Sequence, residues 1–115
     1  MTEQQFDEHV KDLQQHMENL ILVKGKEYRR NNNPFHNFER AAELNNSDVI
    51  TELHGFLTKH LVSYLDMIQD IKQDKMPEYA YSEEKLTDIR VYLLLLQVWL
   101  KHHTYNEKME CCKGS

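Results

Sequence analysis

Three long stretches of this chain set apolar residues three and four apart, and the last of them is apolar on nearly every side. Leu86, Ile89, Leu93, Leu96 and Leu100 trace one helical stripe, and Val91, Leu94, Leu95, Val98 and Trp99 fill much of the remainder. A helix of that kind is central to its own domain or shared with a partner subunit. A chain of 115 residues has few other helices with which to surround it. The pattern therefore predicts an all-α bundle of three long helices and one short one, completed by self-association as a dimer or tetramer through the helix at 82–103. Only three glycines and two prolines occur, too few for the turns of an all-β design.

The first helix is expected over Glu3 to Tyr28, with Phe6, Val10, Leu13, Met17, Leu20 and Ile21 on one face and Gly25 weakening its last turn. The aperiodic run from Arg29 to Pro34 reads as a loop. Good helix formers from Glu39 to Leu44 make a short helix, closed by Asn45 and Asn46. Ser47 is placed to cap a long helix over Asp48 to Lys72, whose stripe is Ile50, Leu53, Leu57, Leu61, Tyr64 and Ile68. Gly55 inside it either permits close packing or costs a little stability. A polar connection with Pro77 follows, and Ser82 is read as the cap of the last helix, which ends at Lys101-His102-His103. One helical domain is expected over 1–104, with 105–115 as a flexible tail.

Nineteen acids against fourteen Lys and Arg give a formal charge of −5. That balance disfavours a protein that coats DNA or RNA, so no direct DNA binding is expected. The longest apolar run is too short to span a bilayer and no signal peptide opens the chain, so no membrane partner is expected. Cys111 and Cys112 are adjacent and have no metal-type spacing, which points to a reducing cytoplasm.

Asp88 is the sharpest anomaly, because it shares a helix face with Tyr92, Leu95 and Trp99. A carboxylate facing a bundle interior needs a basic partner, a donor or a metal ion. Glu84 lies one turn earlier, and Asp66 with Asp70 forms a second such pair on the preceding long helix. Two converging carboxylate pairs suit Mg²⁺, whereas the bland alternative is solvated helix surface. His60, among Phe56, Leu57, Tyr64 and Met67, is either a satisfied core residue or a ligand. Lys24, Lys26, Arg29 and Arg30, then Asn31 to Asn33, His36 and Asn37, form a basic, amide-rich patch that Lys59 can face. Such a patch suits a phosphate, with Tyr28, Phe35, Phe38 and Tyr92 as aromatic surface, or it is only the cationic end of a helix. No glycine-rich phosphate loop and no HExxH motif occur.

Taken together, Lys24-x-Lys26-Glu27-Tyr28, the stretch Asn33-Pro-Phe-His-Asn-Phe-Glu-Arg-Ala-Ala-Glu-Leu44, Lys59-His60-x-x-Ser63-x-x-Asp66 and Glu84-Lys85-x-x-Asp88-Ile89-x-x-Tyr92-Leu93-Leu94-Leu95 carry a resemblance. They resemble small phage-encoded proteins grouped with the all-α nucleoside triphosphate pyrophosphohydrolases of the MazG type, over roughly residues 20 to 100. The resemblance implies Mg²⁺ held by helix carboxylates, here Asp66, Asp88 and Glu84 with Asp70 beside them, and cleavage between the α and β phosphates. It implies Lys24, Lys59 and Lys85 on the phosphates, Asn37 and Phe38 on the nucleoside, and His60 and Tyr92 in the substrate site. A neighbouring subunit often completes such sites, and the setting would be the host cytoplasm. Two departures stand out: Lys85 occupies a position where the pattern has an acid, and His60, Ser63 and Asp66 replace most of the first acidic motif. The rival reading is therefore a non-catalytic phage helical protein that binds a nucleotide or inhibits a host protein.

Overall fold

The structure, a computed structural model, describes residues 1–24 and 33–113, by backbone alone at Lys24 and from 105 to 113. Those residues form helices and turns without a strand, so the fold is all-α with three long helices and a short one. They are α1 (Glu3–Asn19), α2 (His36–Asn45), α3 (Val49–Lys72) and α4 (Tyr79–Lys113). No described helix is long and apolar enough to cross a membrane. Where the sequence offers no internal boundary, the structure has two compact units, Met1–Val49 and Ile50–Ser115.

In the first unit, α1 opens on a reciprocal cap: the Thr2 hydroxyl accepts from the Gln5 N–H, and the Gln5 side chain accepts from the Thr2 N–H. It closes earlier than its apolar spacing suggests, passing at Leu20–Lys24 into a π-helical turn. Periodicity carries no trace of that widening, because the same side chains still follow one another three and four apart. Residues 25–28, the expected last turn, lie outside the described residues. The short helix starts earlier than Glu39, at His36, because the Asn33 side chain organises the turn around Pro34. Its carbonyl accepts from the Phe35 N–H at 3.0 Å, and its amide donates to Glu39 at 2.6 Å. Phe38 and Ala42, one turn apart, are buried. α1 contributes no buried residue, and Phe6 on its stripe is 57% exposed.

Both α2 and α3 stop at a left-handed residue, Asn46 (φ 51°) and Asp74 (φ 60°). In each case the next N–H reaches back to a carbonyl of the last turns: Ser47 to Ala42 at 2.9 Å and Lys75 to Asp70 at 2.8 Å. Ser47 thus serves the end of α2, and its hydroxyl lies 3.5 Å from the Asp48 carbonyl.

The second unit is built on a helical hairpin. Aromatic and ionic contacts pair Phe56 with Tyr92 and His60 with Asp88, so moving up α3 means moving down α4. Leu53 (1% exposed), Leu57 and Met67 on α3 and Thr87 on α4 form its buried interior. The last helix begins at Tyr79 rather than after Ser82. The Ser82 N–H donates to the Glu78 carbonyl at 3.1 Å, and the Ser82 hydroxyl, already inside the helix, donates to the Tyr79 carbonyl at 2.8 Å. Residues 105–113, expected as a tail, continue the helical backbone to Lys113; no glycine or proline intervenes before Gly114.

Gly55 is exposed, and a Cβ built there would meet nothing within 4 Å. Close packing is therefore not its role. Gly55→Ala is expected to stabilise the hairpin by about 1 kcal/mol, the helix-interior difference between the two residues. A urea midpoint at or below the wild type would refute that.

Candidate functional site

The two anomalies of the sequence answer each other. His60 of α3 and Asp88 of α4 face one another, with Nδ1 3.8 Å from Oδ2. That separation is too long for a hydrogen bond and within reach of an ion pair when the imidazole carries its second proton. The Tyr92 ring lies 5.0 Å from the imidazole and runs nearly parallel to the Phe56 ring at 6.3 Å. Lys59 reaches over the other ring of that pair, its ammonium 5.9 Å from the Phe56 centroid. Phe56, His60, Asp88 and Tyr92 thus form one cluster of two aromatic rings, an imidazole and a carboxylate. The Asp88 side chain is 39% exposed, which leaves the carboxylate accessible from solvent.

Burial raises the Tyr92 phenol above its ordinary value of 10.0, and the Asp88 carboxylate pushes it further in the same direction. Tyr92 therefore stays a neutral donor through neutral and mildly alkaline pH. Because the folded value is the higher one, its contribution to stability is complete below about pH 10 and is lost as pH rises through the raised value. A phenolate absorbance titration compared with Tyr92→Phe isolates this group. Asp88→Asn should lower the Tyr92 midpoint only part of the way, since burial is the larger cause. An unmoved midpoint would show that the carboxylate does not act on the phenol.

The four candidate metal ligands do not converge. Asp66, Asp70 and Glu84 are exposed, and among the described residues no three His, Cys, Asp or Glu side chains gather as a metal site. Register and helix side together explain why. With His60 level with Asp88, at 1.5 Å per residue Glu84, Asp66 and Asp70 lie about 6, 9 and 15 Å from that level in the same direction. Asp70 is therefore far from Asp88 along the axis, while Glu84 and Asp66 are kept apart by the sides of the helices they occupy. Asp66 also lies on a different side of α3 from His60, six residues or 240° around the helix. A magnesium ion demands ligand oxygens at ~2.1 Å, so these carboxylates do not fit the ion by themselves.

The remaining candidates are scattered. Lys85 is half-buried, with its ammonium 5.5 Å from the Tyr81 ring. Asn37 is exposed on α2. Phe38, assigned to a nucleoside by the resemblance, is only 6% exposed, with its ring tilted against Phe35 at 6.2 Å. It serves the core of its own unit and has little free face. The Lys24 side chain, Lys26 to Asn32 and the basic patch they make lie outside the described residues.

Sequence reasoning passed over Arg90. Its Nη2 donates to the hydroxyl of the fully buried Thr87 at 3.1 Å, while its Nε is buried with no hydrogen-bond partner among the described residues. The i, i+3 spacing of Thr87 and Arg90 is visible in the sequence, but their burial is not.

Compared with family models, curated proteins and solved structures, the chain matches none.

Proposed function

We propose that this protein binds a nucleoside triphosphate, in the manner of the MazG-type pyrophosphohydrolases it resembles, with the α3–α4 cluster as its nucleotide-facing centre. The supporting observation is the meeting of two separate motif segments: His60 from one and Asp88 with Tyr92 from the other. The chemistry of the cluster suits a nucleoside. The Tyr92 and Phe56 rings offer aromatic surface to a base, and the Asp88 carboxylate accepts from an exocyclic amine or a sugar hydroxyl. A neutral Tyr92 and the His60 ring N–H donate, and the nearby Lys59 supplies positive charge for phosphate. Cleavage between the α and β phosphates is the reaction the resemblance implies. A cytoplasmic setting follows from the substrate.

The dispersal of Asp66, Asp70 and Glu84 favours a second reading, capture of the nucleotide without turnover. One experiment separates the two. Calorimetric binding of a panel of ribo- and deoxynucleoside triphosphates is run beside an assay of pyrophosphate release in Mg²⁺ and in EDTA. Binding with Mg²⁺-dependent release identifies an enzyme, and binding alone identifies a nucleotide-capturing protein. No binding by folded protein would overturn the nucleotide reading and leave a host protein as the partner to seek.

A further inference from the structure

The Asp88 carboxylate is an acceptor that the fold leaves unspent. A carboxylate presents two oxygens and can take two parallel N–H groups at once. Among the described residues none donates a hydrogen bond to it, and its closest charged neighbour, the His60 Nδ1, stays 3.8 Å away. The His60 imidazole is in the same condition. It touches the Tyr92 ring at 5.0 Å, and among the described residues its ring nitrogens make no hydrogen bond. With a proton on Nδ1, in either charge state, it offers one N–H donor. The α3–α4 hairpin thus holds one donor and a pair of acceptors side by side. At 3.8 Å they are too far apart to bond each other and close enough to meet neighbouring atoms on one base edge.

We infer that this arrangement selects guanine among the bases, an inference that rests on the nucleotide reading above. The Watson–Crick edge of guanine carries the O6 acceptor, the N1–H donor and the 2-amino donor in that order. His60 donates to O6, and the two Asp88 oxygens accept from N1–H and from the 2-amino group. Every polar atom of that edge then has a partner. Adenine and cytosine each present one amine donor beside one ring-nitrogen acceptor, so one Asp88 oxygen is left without a donor. Uracil and thymine set their second carbonyl against that oxygen, which is repulsive. Hypoxanthine differs from guanine only in lacking the 2-amino group, and it loses one charge-assisted bond. A site built to hydrogen-bond a group rejects the analogue without it, because its own acceptor is then left unpaired.

The test is calorimetric binding of GTP, inosine triphosphate, ATP, CTP and UTP to the full chain. GTP is expected to bind about tenfold or more tighter than inosine triphosphate, with UTP weakest. Asp88→Asn replaces one acceptor by a donor, so the ratio of GTP to inosine triphosphate affinity should fall to about one. His60→Phe removes the donor to O6, which both bases carry, so it should weaken the two alike and preserve their ratio. Should either variant lose its helix signal, the wild-type ratio and the other variant still decide. Equal wild-type affinity for GTP and inosine triphosphate overturns the inference, as does a ratio that a folded Asp88→Asn leaves unchanged. Equal binding of all five triphosphates overturns the guanine assignment and leaves the nucleotide reading standing. Binding of none overturns both.

Discussion

Asp88→Asn is expected to weaken nucleoside triphosphate binding by about ten- to a hundredfold while leaving the helix signal unchanged. The size follows from what an ionised acceptor contributes to a hydrogen bond, roughly 1.5–3 kcal/mol, against the ~1.4 kcal/mol that makes each tenfold in affinity. The fold tolerates the change because the carboxylate is 39% exposed and its contact with His60 is 3.8 Å long; pairs of that kind add little to stability. Tyr92→Phe is the companion variant: it keeps the ring and removes the phenol, so it should cost less than Asp88→Asn. Where pyrophosphate release is observed, Asp88→Asn should abolish it together with affinity. Unchanged binding by a folded Asp88→Asn would make the residue a structural charge and remove the cluster from the site.

The helices were legible wherever apolar period and chemistry agreed. The third helix was expected over 48–72 and is found over 49–72, because Ile50 to Ile68 form an uninterrupted stripe. The first turn of α4 was misplaced because Ser82 looked like a cap, whereas its hydroxyl donates back to the Tyr79 carbonyl from inside the first turn. The end of α4 was misplaced because a dipole-compatible Lys101-His102-His103 marks a favourable end without forcing one. Only glycine or proline would force it, and neither occurs before Gly114.

The site was legible as separate residues and not as an arrangement. A histidine and an aspartate on apolar faces each asked for a partner, but whether they meet depends on the hairpin register. That register is set by a turn closing on Asp74 in a left-handed conformation that favours glycine, a feature composition does not announce. The same register separates Asp66 and Asp70 from Asp88. Helical spacing fixes which side of one helix a residue takes. It does not fix the level at which two helices face each other.

Leu53→Ala is expected to cost about 2–5 kcal/mol, the range for a large side chain removed from a packed interior. Leu53 is 1% exposed in the unit that carries the cluster, and stabilities of small domains are only ~5–15 kcal/mol. Phe6→Ala supplies the contrast: that ring is larger, yet 57% exposed, so its loss should fall within about 0.5 kcal/mol. Urea unfolding followed by far-ultraviolet circular dichroism measures both. Leu53→Ala should lower the midpoint far more than Phe6→Ala, since the side chain lies inside the hairpin. Equal midpoints for Leu53→Ala and Phe6→Ala would mean that the hairpin interior does not hold the second unit together, and the register that joins His60 to Asp88 would lose its physical support.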